Sequence, residues 1–421
     1  MDKQIGGCNM KIGEFAKQFG VPKDTVRFYI KNNLLIPNDQ GAQYEFTDRE
    51  VQAMQTILKM KAQRFTLEEI GRYLMLRRVS VMVEPESLKL ASDLLTGKRQ
   101  ALQKEIEELN DICKSIDADL LSLSNISDAP RKKTGVPLKA FSLLVCPRCG
   151  APLQMGGAAL DQRYIYSGEL LCDCGFQILI ENGIVKTGNL YTTPYDRPDL
   201  QRGFYQKISR EFSAYTQRST NYLIHALSGM DLKDKVVFEG HCNGFCFIYN
   251  HLKKLEPGAI YILTDKYPEM MEMYKANIER MGLDLDILYI ADNSTHLPLR
   301  PQCIDVMIDF LTSNEHSLYF KTPYSQDIKP FLKPGASIMG QNLSYPENSA
   351  TIRALRKKYP EGDCSAYLFR CWNADYKRMG VQVEAKLLGT VKTTEKSYFF
   401  ECHKDGEELC VRYFTGKYLP A

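Results

Sequence analysis

The sequence predicts a multidomain chain: an all-α winged helix-turn-helix continued by a long coiled-coil helix, a small cysteine-built ribbon, and an α/β domain of Rossmann-like fold. Three observations carry this. The first 125 residues are dominated by helical signals, interrupted once by a turn-rich, alternating stretch. Two close pairs of cysteines follow. From about residue 200, apolar β-type runs alternate with amphipathic helical stretches, the pattern of a largely parallel sheet. At 421 residues the chain is long enough for two or three domains with cores of their own.

Composition sets the context. The chain is 44% hydrophobic and 25% charged with a net charge of +3, ordinary for a globular protein. No apolar stretch reaches the roughly 18 residues that a membrane span needs, and MDKQIGGCNMK lacks the apolar core of a signal peptide. A cytoplasmic protein with no membrane partner is expected, its 13 cysteines present as reduced thiols or metal ligands. Residues 1–80 hold 13 Lys and Arg against nine Asp and Glu, which suits a phosphate-binding face without demanding one.

The N-terminal elements follow in order. Ile12, Phe15 and Phe19 share one face of a first helix that Gly20 ends. After Val21-Pro22, Asp24 is placed to cap a second helix carrying Val26, Tyr29 and Ile30. The stretch IPNDQGAQYEFT, with alternating Tyr44 and Phe46, reads as a β-wing. Thr47-Asp48-Arg49-Glu50 and Thr66-Leu67-Glu68-Glu69 are capping boxes that announce two more helices. Over about residues 86–124, Leu88, Leu95, Leu102, Leu109 and Ile116 recur every seven positions, with Ala91 and Ile112 between them. Such a stripe favours an intermolecular coiled coil; the alternative is a long helix packed on its own domain. Residues 126–140, turn-rich and basic, read as a linker.

Two short helices, a wing and two further helices make a device for duplex DNA: the second helix enters the major groove and the wing reaches the backbone. MKIGEFAKQFGVPKDTVRFYIKNNLLIP, GAQYEFTDREV and RFTLEEIGRYL closely resemble the MerR family over residues 10–78. The resemblance implies a winged helix-turn-helix DNA-binding domain at 1–80, with Thr25, Arg27, Tyr29 and Tyr44 on DNA and Lys23 and Lys31 nearby. Arg27 offers a forked donor set to phosphate, and the two tyrosines their hydroxyls. Phe28 reads instead as a core aromatic. The resemblance further implies a homodimer through the 84–125 helix and a palindromic operator. It also implies action on RNA polymerase through DNA deformation.

The segment VCPRCGAPL…GELLCDCGF sets Cys146 and Cys149 as CxxC and Cys172 and Cys174 as CxC, with 22 residues between the pairs. Close cysteine pairs followed by glycine deliver thiolates tetrahedrally, and no histidine lies nearby, so a structural four-cysteine zinc site is read at 141–190. Unmetallated core or redox cysteines are the alternative. The segment is similar to the zinc ribbons that precede the catalytic domain in some ribosomal-RNA guanine methyltransferases.

In the last part, Val236 to Phe238 runs into Glu239-Gly240 and, after three residues, Gly244; AIYILTD ends in Asp265; DILYIAD ends in Asp292; IDVMIDF and FLKPGASIMG supply two more strands. An acid about twenty residues beyond the glycine loop can accept both ribose hydroxyls of an adenosyl ligand, while glycines let backbone approach it. This order resembles the class I S-adenosylmethionine-dependent methyltransferases over 196–421. That resemblance gives Asp265 the ribose, Asp292 the adenine, and Glu239, Gly240 and Gly244 the cofactor loop, with Tyr267 and Met270 as pocket walls. It puts Asp305 just before the fourth strand and substrate chemistry in the loop Leu311–His316, where Glu315 and His316 are the candidate bases. The loop departs from the family's acid-x-Gly-x-Gly-x-Gly: the acid is displaced by one place and Cys242 stands at the middle glycine.

Three functions are therefore open. One is a DNA-binding regulator whose S-adenosylmethionine-binding domain methylates an acceptor or gates DNA binding. The second is a non-enzymatic ligand-sensing regulator with a degenerate methyltransferase fold. The third is a thiol or metal sensor acting through Cys113 or through Cys242 and Cys246.

Overall fold

The computed structural model describes residues 10–39, 43–79, 84–124, 132–190, 197–202, 208–392 and 401–420. The chain divides into two compact units, Met1–Ile126 and Ser127–Ala421. Part of the expected wing (40–42), part of the expected linker (126–131) and residues 125 and 196 lie outside the described residues.

In the first unit β1 (Met10–Lys11) leads into α1 (Ile12–Gln18) and α2 (Lys23–Lys31). Then come β2 (Asn38–Asp39), β3 (Tyr44–Phe46), α3 (Asp48–Ala62), α4 (Leu67–Val79) and α5 (Pro85–Ser124). The unit is not all-α: β1, β3 and β2 form a small antiparallel sheet. Its strands converge on Phe46, which stacks on Phe15 at 4.1 Å and so seats the wing on α1. Both predicted capping boxes form. The Thr47 amide donates to Glu50 Oε2 (2.9 Å), and the Glu69 amide donates to Thr66 Oγ1 (3.2 Å). The expected Asp24 cap does not: Pro22 is the N-cap, and Asp24 lies inside the first turn, where it accepts from Arg27.

Along α5, Ala91 is buried, and Lys98 ties the helix to Glu69 and lies over Phe65. Leu88, Leu95, Leu109, Ile112 and Ile116 are exposed.

The second unit begins earlier than the sequence suggests. Residues 132–140 are not a free linker: the Lys132 amide donates to the Glu279 carbonyl, and the Thr134 amide and hydroxyl to the Glu279 carboxylate. β4 (Val136–Pro137) and α6 (Leu138–Phe141) follow, then β5 (Gln154–Leu160), β6 (Tyr164–Leu171), β7 (Gln177–Glu181) and β8 (Ile184–Lys186). After α7 (Arg210–Ser228) come β9 (Val236–Glu239), α8 (Phe247–Asn250), β10 (Ile260–Asp265), α9 (Pro268–Met281) and β11 (Asp286–Ala291). The remainder is β12 (Ile304–Phe310), α10 (Thr312–Tyr319), α11 (Tyr324–Ile328), β13 (Leu332–Ser344), α12 (Ala350–Lys358), α13 (Phe369–Met379), β14 (Val381–Val391) and β15 (Leu409–Tyr418).

All these strands share one sheet, in the order β14-β15-β13-β12-β9-β10-β11-β8-β7-β6-β4, with β5 beside β6. From β9 to β13 it is parallel, and β15 runs antiparallel between β13 and β14. The chain winds outward from β9 through β10 to β11, then returns to lay β12 on β9's other side. That reversal is the topological switch point of a Rossmann-like sheet, outside whose carboxyl edge ligands bind. Successive β9 residues feed two cores: Val237 packs with α7 and α9, while Val236 and Phe238 pack with α13 and the ribbon.

The expected separate ribbon domain is corrected here. β8 pairs in parallel with β11, Tyr289 opposite Ile184, so the ribbon extends the Rossmann-like sheet. Cys146, Leu170 and Ile178 belong to the same core as Ile262 and Leu288.

Candidate functional site

Three sets of residues are candidates, and they differ in how the fold holds them.

On α2, Lys23 and Lys31 are exposed and Thr25 is half-buried; Arg27 is exposed and bonded to Asp24 at 2.9 Å. Tyr44 is 36% exposed on β3. The two aromatics of α2 exchange the places expected of them. Tyr29 is 2% exposed, and its hydroxyl accepts from Lys61 Nζ at 3.2 Å, so it is a core residue. Phe28 is 46% exposed. The reason is helical register: Val26, Tyr29 and the following Leu34 point into the core with Phe15 and Phe46, which leaves Phe28 beside Arg27 on the outer face.

The cysteine pairs come together. Cys146 Sγ lies 3.5 Å from Cys174 Sγ, Cys149 Sγ lies 3.4 Å from Cys172 Sγ, and all four sulfurs fall within 4.8 Å of one another. Zinc–sulfur bonds of about 2.3 Å set tetrahedral sulfur–sulfur edges of about 3.8 Å. The set therefore fits a four-coordinate ion. Two matching knuckles build it. The Gly150 amide donates to the Cys146 carbonyl and the Gly175 amide to the Cys172 carbonyl, both glycines at positive φ (74° and 81°). Burial opposes ionisation of Cys146, but the Cys149 and Arg148 amides and the neighbouring thiols bring it down, while those same thiols hold Cys172 up, as expected of four thiols packed around one point.

The third set lies along the carboxyl edge of the sheet. Glu239 is the last residue of β9, so the acid is in register with the strand after all; it is the glycines that are displaced. Its carboxylate accepts from the Phe247 (2.7 Å) and Ile248 (2.8 Å) amides and caps α8, which is only four residues long. Full burial pushes Glu239 up to about 7, against those two amides. Cys242 and Cys246 lie close to it, but the carboxylate is already engaged by backbone, and burial pushes both thiols up. The trio makes a poor metal site.

His241 takes φ of 50°, a left-handed conformation favoured by glycine, and is buried. A Cβ on Gly240 would come within 2.6 Å of the Tyr324 hydroxyl, so this glycine admits Tyr324. The Gly244 carbonyl accepts from Arg202 Nη2 (3.2 Å), and the Asn243 carbonyl from Nη1 (3.0 Å).

Asp265 ends β10, fully buried, and accepts from the Tyr267 amide at 3.0 Å; Tyr267 and Met270 are buried beside it. The amide of Asp292, just past β11, donates to the Asp265 carbonyl. Asp292 Oδ2 accepts from Thr187 Oγ1 (2.6 Å), and Oδ1 accepts from the Ser294 amide (2.7 Å), with Asn189 Nδ2 at 3.3 Å from both oxygens. The chain leaving the ribbon thus grips the acid expected to meet adenine. Burial pushes Asp292 up despite these bonds.

Two expectations beyond β12 change. Asp305 is inside the strand near its amino end, where it accepts from the Val236 amide and pairs with Lys333 at 2.7 Å; it joins strands far from the carboxyl edge. Leu311–His316 is no loop, because α10 begins at Thr312. Asp309 receives the Ser313 amide (2.8 Å) at its first turn. His316 is fully buried, its Nε2 3.0 Å from the Thr322 carbonyl and 3.3 Å from Asp327 Oδ2. Glu315 faces Lys266 at 3.7 Å, and Cys113 is exposed on α5.

Sequence reasoning missed Arg202, Asp309, Asp327 and the part played by His241. Asp309 sits inside an apolar run, between Ile308 and Phe310, where no motif marks it. Asp327 and Arg202 belong to no motif.

Residues 10–76 match the model of the MerR HTH family regulatory protein. No curated protein matches the chain significantly. Among solved structures, YcgJ of Bacillus subtilis is 12% identical, covering 49% of this chain and 100% of its own, with a TM-score of 0.38. Geranyl diphosphate C-methyltransferase of Streptomyces coelicolor A3(2) is 9% identical, covering 48% of this chain and 76% of its own, with a TM-score of 0.37. Strand order and switch point define the fold here; likenesses this distant do not.

Proposed function

We propose that this protein is a dimeric cytoplasmic transcription regulator of MerR type that reads a palindromic operator through its N-terminal unit. Its C-terminal domain binds S-adenosylmethionine and either methylates an acceptor or gates DNA binding. The match over residues 10–76 carries the DNA-binding half. Support comes from the outer face of α2, where Lys23 and Arg27 stand exposed with Thr25 at their edge and Tyr44 on the wing. The exposed stripe from Leu88 to Ile116 is what a second copy would cover; contact with RNA polymerase would follow the family's mode of action. The four cysteines would hold a structural zinc, since a closed thiolate set leaves no position for water.

The cofactor half rests on three acids side by side. Glu239, Asp265 and Asp292 stand at the carboxyl ends of β9, β10 and β11, next to the switch point. Bound there, S-adenosylmethionine would supply an electrophilic methyl group. Asp265 would take the ribose, Asp292 the adenine, and Gly240 and Gly244 would line the loop. One observation favours a second reading, a ligand sensor without transfer: the loop carries buried His241, Cys242 and Asn243 in place of a run of glycines.

Calorimetric titration of the full chain with S-adenosylmethionine, joined to a labelled-methyl assay on cell extract, separates the readings. Binding with labelled product supports transfer, and binding without product supports the sensor. Absence of binding removes the cofactor half and leaves the DNA-binding half to its own test on operator DNA.

A further inference from the structure

The switch-point edge holds a chain of three polar side chains that the cofactor reading does not use. His241 Nε2 lies 3.1 Å from His316 Nδ1, and both rings are buried. The tautomers follow by elimination. His316 Nε2 faces two acceptors, the Thr322 carbonyl at 3.0 Å and Asp327 Oδ2 at 3.3 Å, so it carries the hydrogen. In a neutral His316 ring, Nδ1 is then the acceptor, and His241 Nε2 must donate to it. That leaves His241 Nδ1 with a lone pair, and among the described residues this buried atom has no hydrogen-bond partner. A buried acceptor left without a partner is costly, and it points to a donor that arrives from elsewhere.

We propose that Asp327, His316 and His241 form a proton relay whose receiving atom is His241 Nδ1, and that the C-terminal domain therefore acts on acceptors that carry a proton on their nucleophilic oxygen, nitrogen or sulfur. This rests on the methyl-transfer reading above. The proton leaves the acceptor and forms a new bond to His241 Nδ1; the Nε2–H bond of His241 breaks as His316 Nδ1–H forms. The positive charge comes to rest on His316, beside the Asp327 carboxylate. The acceptor keeps the electron pair, which bonds to the methyl carbon as the sulfonium carbon–sulfur bond breaks. A tertiary amine or thioether, with no proton to lose, would have no use for the relay.

The surroundings suit that task. His316 arrives on α10, Tyr324 and Asp327 on α11, and Lys266 from the turn after β10, its ammonium 3.7 Å from Glu315. Burial above all holds the His241 imidazole well below its ordinary range. It therefore stays neutral and able to accept, while the only carboxylate in the chain of three sits at the far end. The arrangement follows the logic of an acid–base pair oriented by a carboxylate, here the partly exposed Asp327.

The test is side-chain NMR on the full chain with labelled histidine, which has six imidazoles to resolve, recorded without cofactor. His241, identified by its loss in His241→Gln, should appear as the Nε2–H tautomer at pH 7. In Asp327→Asn a neutral amide replaces the carboxylate 3.3 Å from His316 Nε2, so the His316 Nε2–H resonance should shift. A His241 signal in the Nδ1–H form, or a His316 Nε2–H resonance indifferent to Asp327→Asn, overturns the relay. Neither result touches cofactor binding, which calorimetry decides alone. Once transfer is detected, His241→Gln should lower kcat about 100-fold or more while KM for S-adenosylmethionine holds within about twofold. An unchanged kcat, or a loss confined to KM, overturns the proposal.

Discussion

The two units hold their candidate functional residues in opposite ways. On α2 the groups face outward and lean on little: Arg27 and its partner Asp24 are 62% and 88% exposed in their side chains. At the sheet edge of the second unit, Glu239, Asp265, Asp292 and His316 are wholly buried and bonded to backbone or to one another. The first surface carries its groups on exposed side chains, so its residues can change with little effect on folding. The second is part of the interior. There a ligand must compete with bonds already made, and stability and binding cannot be altered independently.

That contrast can be broken most severely at the cysteines. A structural four-thiolate zinc site is worth about 10 kcal/mol or more to the fold that closes it. Emission spectrometry should find one zinc per chain. A chelator, or Cys172→Ser, should then lower the melting temperature of the second unit by about 10 °C or more. DNA affinity of the first unit should not follow; a parallel loss would show the units to be energetically joined.

A smaller effect is expected at Glu239. Its carboxyl is raised from an ordinary 4.5 to about 7 in the fold, so the folded state binds the extra proton between those values. Stability from this group is complete below about pH 4.5 and is lost as pH rises through about 7, a span of about 3 kcal/mol. Denaturant titrations at pH 5 and pH 8 should show this decline in the parent chain and not in Glu239→Gln. Equal slopes would mean that the two amides hold the carboxylate ionised throughout.

The smallest change should come from Arg27→Ala. Operator affinity should fall about tenfold at 0.1 M salt and the salt dependence should flatten by about one ion, read by fluorescence anisotropy. Melting temperature should stay within about 1 °C. A marked loss of stability would move Arg27 from the exposed class into the structural one.

How much the sequence disclosed divides along the same line. Local rules disclosed the first unit well. Thr47–Glu50 and Thr66–Glu69 formed the boxes their spacing predicted, and one long helix carries the whole heptad stripe from Leu88 to Ile116. The exchange of Phe28 and Tyr29 shows the limit of such rules. Both are aromatic and adjacent, and only the positions of Phe15 and Phe46, brought in by folding, decide which turns inward. In the second unit strand ends were legible because apolar runs stop at acids: Asp265 and Asp292 stand where expected. What the acids do there was not legible. The grip of Thr187 on Asp292 joins residues 105 apart in sequence, and the His241–His316 contact spans 75. No periodicity encodes pairings of that range. The fusion of ribbon and sheet was hidden for the same reason, since β8 reads as an ordinary hairpin strand until β11 lies beside it.

The parallel pairing of β8 with β11 also bears on how the chain is made. β8 leaves the ribosome with its outer edge bare, and its partner is about a hundred residues away, roughly 5–20 s of synthesis. Within that interval the two cysteine pairs, 22 residues apart, have both been made. A metal-closed ribbon would hold β7 and β8 ready as a template on which the later strands are laid down. Starvation for metal during translation would then leave an unpaired edge, a ready site for aggregation, in molecules that metal added after release would rescue poorly.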